Sequence, residues 1–409
     1  MTLTFGWEWQ SAPDVRAPEL AATWSRLRID VVGVTATLVE ERATAHGIRK
    51  SIDVPTYPLA EWIVFNWWAI WAPHARKSSA GFRLSGAGDG FPWPELTLLS
   101  GAGAVSASLT RKDRDPDFVR FLSSVSAVLD PESTATEMAR FIDATVRRLE
   151  DKGILGTPLQ VEWDVIAATT EAERDFCLVA AALNLDPYDL DELQTASILH
   201  LEGISNAEVA ADLASAVGPD HLLAAQEWVE TALQHLRNSS QPHFEVPVDP
   251  LPFGERIPPW KVGYERARAL RSRFSVGVAD RLDLDDLIQI RSLDRPPPTA
   301  ISALVGARGT GTTVAMGSSS PTAQRFTAAR ALGRRTFDAR EGEILLTATL
   351  RPYAEKVERA FAAEFLAPAA GVEALLDGDY SEHALAEAAS RLNVASKVVE
   401  HQLENQLVT

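Results

Sequence analysis

The chain has 409 residues, 46% of them hydrophobic and 23% charged, which is enough for two or three domains with a sizeable core. Its 56 acidic residues outnumber 39 basic ones, for a formal net charge of -17; the average field repels phosphate, so any nucleic-acid surface has to be local. The single cysteine, Cys177, excludes an intrachain disulfide and a four-cysteine zinc site and fits a reducing cytoplasm.

The opening decapeptide MTLTFGWEWQ lacks the basic start and apolar run of a signal peptide. The most apolar stretch, WIVFNWWAIWAP at 62–73, is too short to span a bilayer. A cytoplasmic protein with no membrane partner is therefore expected. Residues 1–113 read as a mixed α/β domain. WSRLRIDVVGVTATLVEE, rich in β-branched residues, predicts one long strand or a hairpin. SIDVPTYPLAEWIVFNWWAIW starts extended and then places Leu59, Trp62, Ile63, Asn66, Trp67 and Ile70 at helical spacing, which predicts a buried helix. ELTLLS and AVSASL predict two more strands. Most of the eleven Trp residues fall in the first 93 positions, where large rings anchor one core. The carboxylates there, such as Asp30, Glu40 and Glu41, form no recognisable constellation.

Residues 114–240 predict a helical domain. ESTATEMARFIDATVRRLEDKG carries Ser133 or Thr134 as cap candidates and ends at Gly153, a well-punctuated helix. Thr170 followed by Glu173 forms a capping box, and Asn184 suits a left-handed terminus. Asp186-Pro187 predicts a further helix with Pro at its first position, and GPDHLLAAQEWVETALQHLRNS another. The stretch 238–259 holds six prolines. Residues 241–259 are therefore expected to be a Pro-rich linker between domains.

Beyond the linker, WKVGYERARALRSRF predicts an amphipathic helix with Tyr264, Ala267, Leu270 and Phe274 on one side. Its Arg residues are a solvated face or an attraction for an acidic partner. AISALVGARGTGTTVAMGSSSP predicts two short strands around a Gly-Thr-Gly turn. GARGTG lacks the Gly-Lys-Ser/Thr ending of a phosphate loop. Helices are expected at 321–336, 352–366, 381–391 and 395–407.

Two pieces of this region, RFTAARALGRRTF and EKVERAFAAEFLAP, resemble the core motifs of the ImmA/IrrE family of bacterial metallopeptidases. The first is similar to a family segment close to Arg-Phe-Thr-Leu-Ala-His-Glu-Leu-Gly-His. The second is similar to a segment with a ligand Glu ahead of Phe-Ala-Ala-Glu-Leu-Leu-Met-Pro. The resemblance covers roughly residues 260–409 and implies a mostly helical zincin-like domain with a small sheet. It also implies a setting in bacterial stress, phage or mobile-element responses. The overall expectation is thus an α+β protein with a mixed N-terminal domain, a helical middle and a peptidase-like C-terminal domain.

At the catalytic positions the pattern departs from the family. Arg330 stands for the first His, Ala331 for the Glu and Arg334 for the second His, while counting back from Phe361 puts Val357 at the third ligand. A hydrolytic zinc site needs three lone-pair ligands and a proton acceptor; guanidinium has only donors, and alanine moves no proton. No catalytic, cofactor or metal-binding residue is therefore assigned, and the degenerate site is Arg330, Ala331, Arg334 and Val357. The two arginines are expected to pair with carboxylates of the second helix, Glu355, Glu358 or Glu364. The alternative is a pair of ordinary surface arginines. The eight His residues are dispersed; His383 and His401 approach each other only if the last two helices pack together.

SEHALAEAASRLNVASKVVEHQL resembles a helix-turn-helix, with Leu385, Ala388 and Ala389 inside, Asn393 at the turn, Val394 after it and Ser396 as a cap. Its second helix offers Lys397, Glu400, His401 and Glu404, a poor set for reading bases, so packing onto the rest of the domain is expected. Three functions stay open. One is a non-catalytic protein-interaction or regulatory module with an unknown protein partner, another a metallopeptidase with unusual ligands, and the third a DNA-binding regulator using the C-terminal pair and the Arg-rich 265–273 segment.

Overall fold

A computed structural model describes the chain except for residues 1–2, 13–14, 42–46, 74–80, 102, 112–118, 205, 219–220, 238–243, 256, 299, 309–310, 318, 339–341, 348–351 and 408–409. The fold is α+β. It divides into two units, Met1–Asp189 with Pro252–Arg256, and Leu190–Leu251 with Ile257–Thr409.

In chain order the first unit contains β1 (Leu3–Trp9), α1 (Pro18–Ala22), β2 (Trp24–Val31), β3 (Val34–Thr35), β4 (Val39–Glu41), β5 (Ile48–Arg49) and β6 (Ile52–Pro55). Then come α2 (Tyr57–Phe65), α3 (Trp67–Trp71), β7 (Phe82–Arg83), β8 (Leu96–Gly101), β9 (Ala104–Leu109), β10 (Val119–Phe121) and β11 (Val125–Leu129). Three helices follow, α4 (Pro131–Asp151), α5 (Pro158–Ala168) and α6 (Glu171–Ala182), and β12 (Gly254–Glu255) returns later to pair with β11. The strands form three small sheets: β1-β2-β3 with β6 also on β2, β10-β4-β5, and β12-β11-β9-β8-β7.

The β-branched run is a hairpin followed by a short strand, not one long strand. Val32 and Gly33 take left-handed backbone, with φ of 45° and 85°, and turn β2 back onto β3. The apolar run after it breaks into α2 and α3 at Asn66. The tryptophans pack as expected: Trp68 and Trp93 are buried, and Trp67 meets Trp163 edge-on at 5.2 Å. The N-terminal carboxylates sit in separate ion pairs, Asp30 with Arg28, Glu40 with Arg120 and Glu41 with Arg49.

Asp130, not Ser133 or Thr134, caps α4. Its Oδ2 accepts from the Ser133 amide at 2.8 Å, and Pro131 occupies the first helical position, where its missing N–H costs nothing. The Thr170–Glu173 capping box forms in full, and Asn184 is left-handed at φ 60°. The helix expected from Pro187 does not form. Asp186 instead accepts from the Tyr188 amide at 3.0 Å, a local turn that competes with helix.

The second unit begins with α7 (Glu192–Ile204), α8 (Ala207–Val217) and α9 (Leu222–Arg237). The expected helical domain 114–240 is therefore divided, with α4–α6 in the first unit and α7–α9 in the second. The proline-rich stretch also differs from a free linker. Val246 and Leu251 are buried and the Asp249 amide donates to Thr336 O at 2.8 Å, so this part belongs to the second unit.

There follow α10 (Pro259–Arg271), β13 (Gln289–Leu293), β14 (Ile301–Arg308), β15 (Gly311–Gly317), α11 (Pro321–Arg335), β16 (Gly342–Thr347) and α12 (Pro352–Leu366). The chain closes with α13 (Ala369–Leu376), α14 (Glu382–Leu392) and α15 (Ser396–Gln402). The sheet order is β13-β15-β14-β16, with β13 parallel to β15 and the other pairs antiparallel. The expected strands are β14 and β15; most of their Gly-Thr-Gly turn, Gly309 and Thr310, lies outside the described residues. The strands β13 and β16 and the short α13 are additions.

Glycines set the close approach of three helices. A Cβ on Gly263 of α10 would lie 2.5 Å from the Val357 carbonyl of α12, and one on Gly333 of α11 would lie 2.8 Å from the Phe361 ring. Both contacts are far inside van der Waals distance, so α10 and α11 can flank α12 this tightly only without a side chain there. Among the described residues no helix is long and apolar enough to cross a membrane.

Candidate functional site: a buried arginine–glutamate cluster

Residues 330 and 334 are one turn apart on α11 and so share a face. With α11 drawn against α12 at Gly333, that face points into the second unit and not to solvent. Arg330 is 3% exposed, Arg334 1% and Glu358 3%, which excludes the surface-arginine alternative for this pair. Glu358 sits between the two guanidiniums. Arg330 Nη2 donates to its Oε2 at 3.1 Å and Arg334 Nη1 to its Oε1 at 3.3 Å. One carboxylate thus serves two arginines through separate oxygens.

Each guanidinium has further partners. Arg330 donates to Thr347 O of β16 at 2.8 Å and to Ser302 Oγ of β14 at 3.1 Å. Arg334 Nε donates to Asp338 Oδ2 at 3.0 Å, and its Nη2 lies 3.7 Å from Glu208 of α8. Burial pulls the Arg334 pKa down, but the carboxylates of Glu358, Asp338 and Asp212 outweigh it and hold the pKa above its ordinary value. Arg334 is therefore a permanent interior cation. The Arg330 Nε has no acceptor among the described residues.

Of the three carboxylates expected to pair with these arginines, Glu358 alone does so among the described residues. Glu355 pairs with Arg359 of its own helix at 2.8 Å, and burial pushes its pKa up. Glu364 is 2% exposed and takes Arg268 of α10 at 2.7 Å together with the Gln402 and Gln406 amides, each at 2.8 Å. It ties the C-terminal segment to α10 and α12. Ala331 and Val357 are fully buried. The Val357 backbone carbonyl lies against Gly263; the side chain of α12 that reaches both arginines is that of Glu358.

Three carboxylates that sequence reasoning missed differ in how readable they are. Asp338 follows Arg334 by four residues, a spacing that often pairs in sequence. Glu208 and Asp212 arrive from α8, more than a hundred residues away, and carry no local sign of this role.

Zinc, which the resemblance implies, does not fit these residues. Two guanidiniums present N–H donors, Ala331 a methyl group, Glu358 is already engaged by both arginines, and Asp338 is held by Arg334. Among the described residues no group of three or more His, Cys, Asp or Glu side chains is placed to hold a metal ion. His200, His221, His235, His383 and His401 are all exposed; His46, His74 and His243 lie outside the described residues.

The Arg-rich segment 265–273 does not offer a general basic surface. Arg266 donates to Asp249 O, Pro250 O and Thr336 O, and Arg271 is buried with bonds to Phe365 O, Gly277 O and Asp280 O. At the C-terminus Asn393 turns left-handed at φ 54°. Ala395 precedes the last helix, so Ser396 is its first residue and not its cap. Lys397 is held by Glu400 at 2.9 Å, and Val399 and Gln402 are buried. The chain matches no protein-family model and no curated protein.

Proposed function

We propose that residues 260–409 are an ImmA/IrrE-like peptidase scaffold in which an ion cluster has replaced the catalytic centre, and that the protein works as a non-catalytic interaction or regulatory module in the cytoplasm. One observation carries this reading: Glu358 bridges Arg330 and Arg334 at the positions where the family motif places ligands. Losing zinc from such a pocket would leave buried polar ligands unsatisfied, at about 1–3 kcal/mol each. Two arginines sharing a carboxylate fill the same space with an internally compensated charge set. Two of the three α10 arginines, Arg266 and Arg271, are tucked inward, and this and the docked α15 weigh against the DNA-binding alternative.

Reinstalling the donor set tests the scaffold. The triple substitution Arg330→His, Ala331→Glu and Arg334→His frees Glu358 to act as third ligand. The folded variant is expected to take up zinc at about one ion per chain, measured by plasma emission after dialysis, while the unmodified chain takes up none. Stoichiometric zinc in the unmodified protein, or none in the folded triple variant, would overturn the proposal.

A further inference from the structure

We propose that the face formed by α10, α12 and α15 is a docking groove for an acidic peptide segment with an aromatic or aliphatic anchor; this deepens, and rests on, the reading of the protein as a binding module. The groove encloses about 430 Å³. Its floor is apolar, built from Trp260, Tyr264 and Phe326, and its rim carries Lys356, Arg359 and Lys397. Trp260 and Tyr264 are four residues apart on α10, hence on one face. Trp260 is 55% exposed, a large ring left in water beside a concave surface.

Charge complementarity selects the occupant. Among the described residues no carboxylate lines the groove, in a chain whose acidic residues exceed its basic ones by 17. Two of the rim cations hold carboxylates just outside it, Arg359 with Glu355 at 2.8 Å and Lys397 with Glu400 at 2.9 Å. Both pairs are half-exposed on the cation side, so an incoming carboxylate can share or displace them at small cost. An aromatic pocket ringed by cations suits an amphipathic or extended peptide that buries one large side chain and sets acids at the rim. Nucleic acid fits less well. Three cations release few counterions, and the rest of the molecule opposes a phosphate chain.

Random peptides displayed on phage and selected on the immobilised full-length protein provide the test. The expected result is enrichment of sequences with Asp or Glu beside an aromatic or aliphatic residue. The corresponding synthetic peptides should bind about tenfold or more weakly to Trp260→Ala and to Lys356→Glu, with both variants shown to be folded by circular dichroism. Both positions are exposed, so neither change strands a buried group. No enrichment over bare support, enrichment of basic or neutral sequences, or binding unchanged in both variants overturns the proposal. So does oligothymidylate that displaces the selected peptides and binds more tightly than they do. The two readings fail separately. Chelator-sensitive cleavage of a bound peptide would sink the non-catalytic reading and leave the groove, whereas zinc uptake by the triple histidine variant with no peptide selected would do the reverse.

Discussion

Replacing Glu358 by alanine removes the shared anion and leaves Arg330 and Arg334 as buried cations. Truncating one partner of a buried pair costs about 3–5 kcal/mol, chiefly because the other charge is stranded. All three side chains are at most 4% exposed, so solvent screening gives no relief. Partial compensation remains: Arg334 keeps Asp338 at 3.0 Å and Arg330 keeps Thr347 O at 2.8 Å. The expected loss is therefore near the lower limit, about 3 kcal/mol. With two units in the chain, a single unfolding midpoint would blur this effect. Hydrogen exchange of peptides from α11 and α12 isolates it, and amides there should lose about a hundredfold in protection, since each tenfold is 1.4 kcal/mol. The same substitution made in an Arg330→Met background should cost less, because one stranded cation is gone. A loss below about 1 kcal/mol in the wild-type background, the range of an exposed pair, would refute the view of the cluster as a coupled interior network.

Alanine at Gly263 or Gly333 should force α10 or α11 away from α12, destabilising by about 1–3 kcal/mol. Gly263→Ala should be the worse of the two in thermal unfolding, because its Cβ meets a backbone carbonyl where Gly333 meets a ring. Glu364→Ala should remove the acceptor that Arg268, Gln402 and Gln406 share and loosen the C-terminal segment, although Gln402 keeps the Ala367 carbonyl at 2.7 Å; a cost of about 1–2 kcal/mol is expected, seen as faster hydrogen exchange over 396–407 with little change in the first unit. Burial raises the Glu355 pKa above the ordinary carboxylate value, so the folded state binds this proton more readily than the unfolded one. Stability then falls as pH rises through the unfolded value towards the raised folded one. Glu355→Gln should be at least as stable as wild type at neutral pH in urea titrations. The gap should close in acid, and a variant that is less stable at neutral pH would contradict the sign.

The local features of this protein were legible in its sequence because their causes lie within a few residues. The Thr170–Glu173 box, the left-handed Asn184, the helices α9, α11 and α12 and the strands β14 and β15 follow from spacing, capping chemistry and alternation. Asp130 was readable too, from the Pro131 beside it, but two hydroxyl residues nearby competed for the same role. Strands β13 and β16 were not: a five- or six-residue strand exists by virtue of the neighbour it pairs with, and that neighbour is distant in the chain. The choice among Glu355, Glu358 and Glu364 was likewise tertiary. All three lie on the same helix, and what turns Glu358 towards Arg330 and Arg334 is the seat of α12 between Gly263 and Gly333. Composition determined that the degenerate positions hold guanidinium and methyl groups; only the packing of three helices decided that those guanidiniums would be buried around a shared Glu358, with Asp338 beside Arg334.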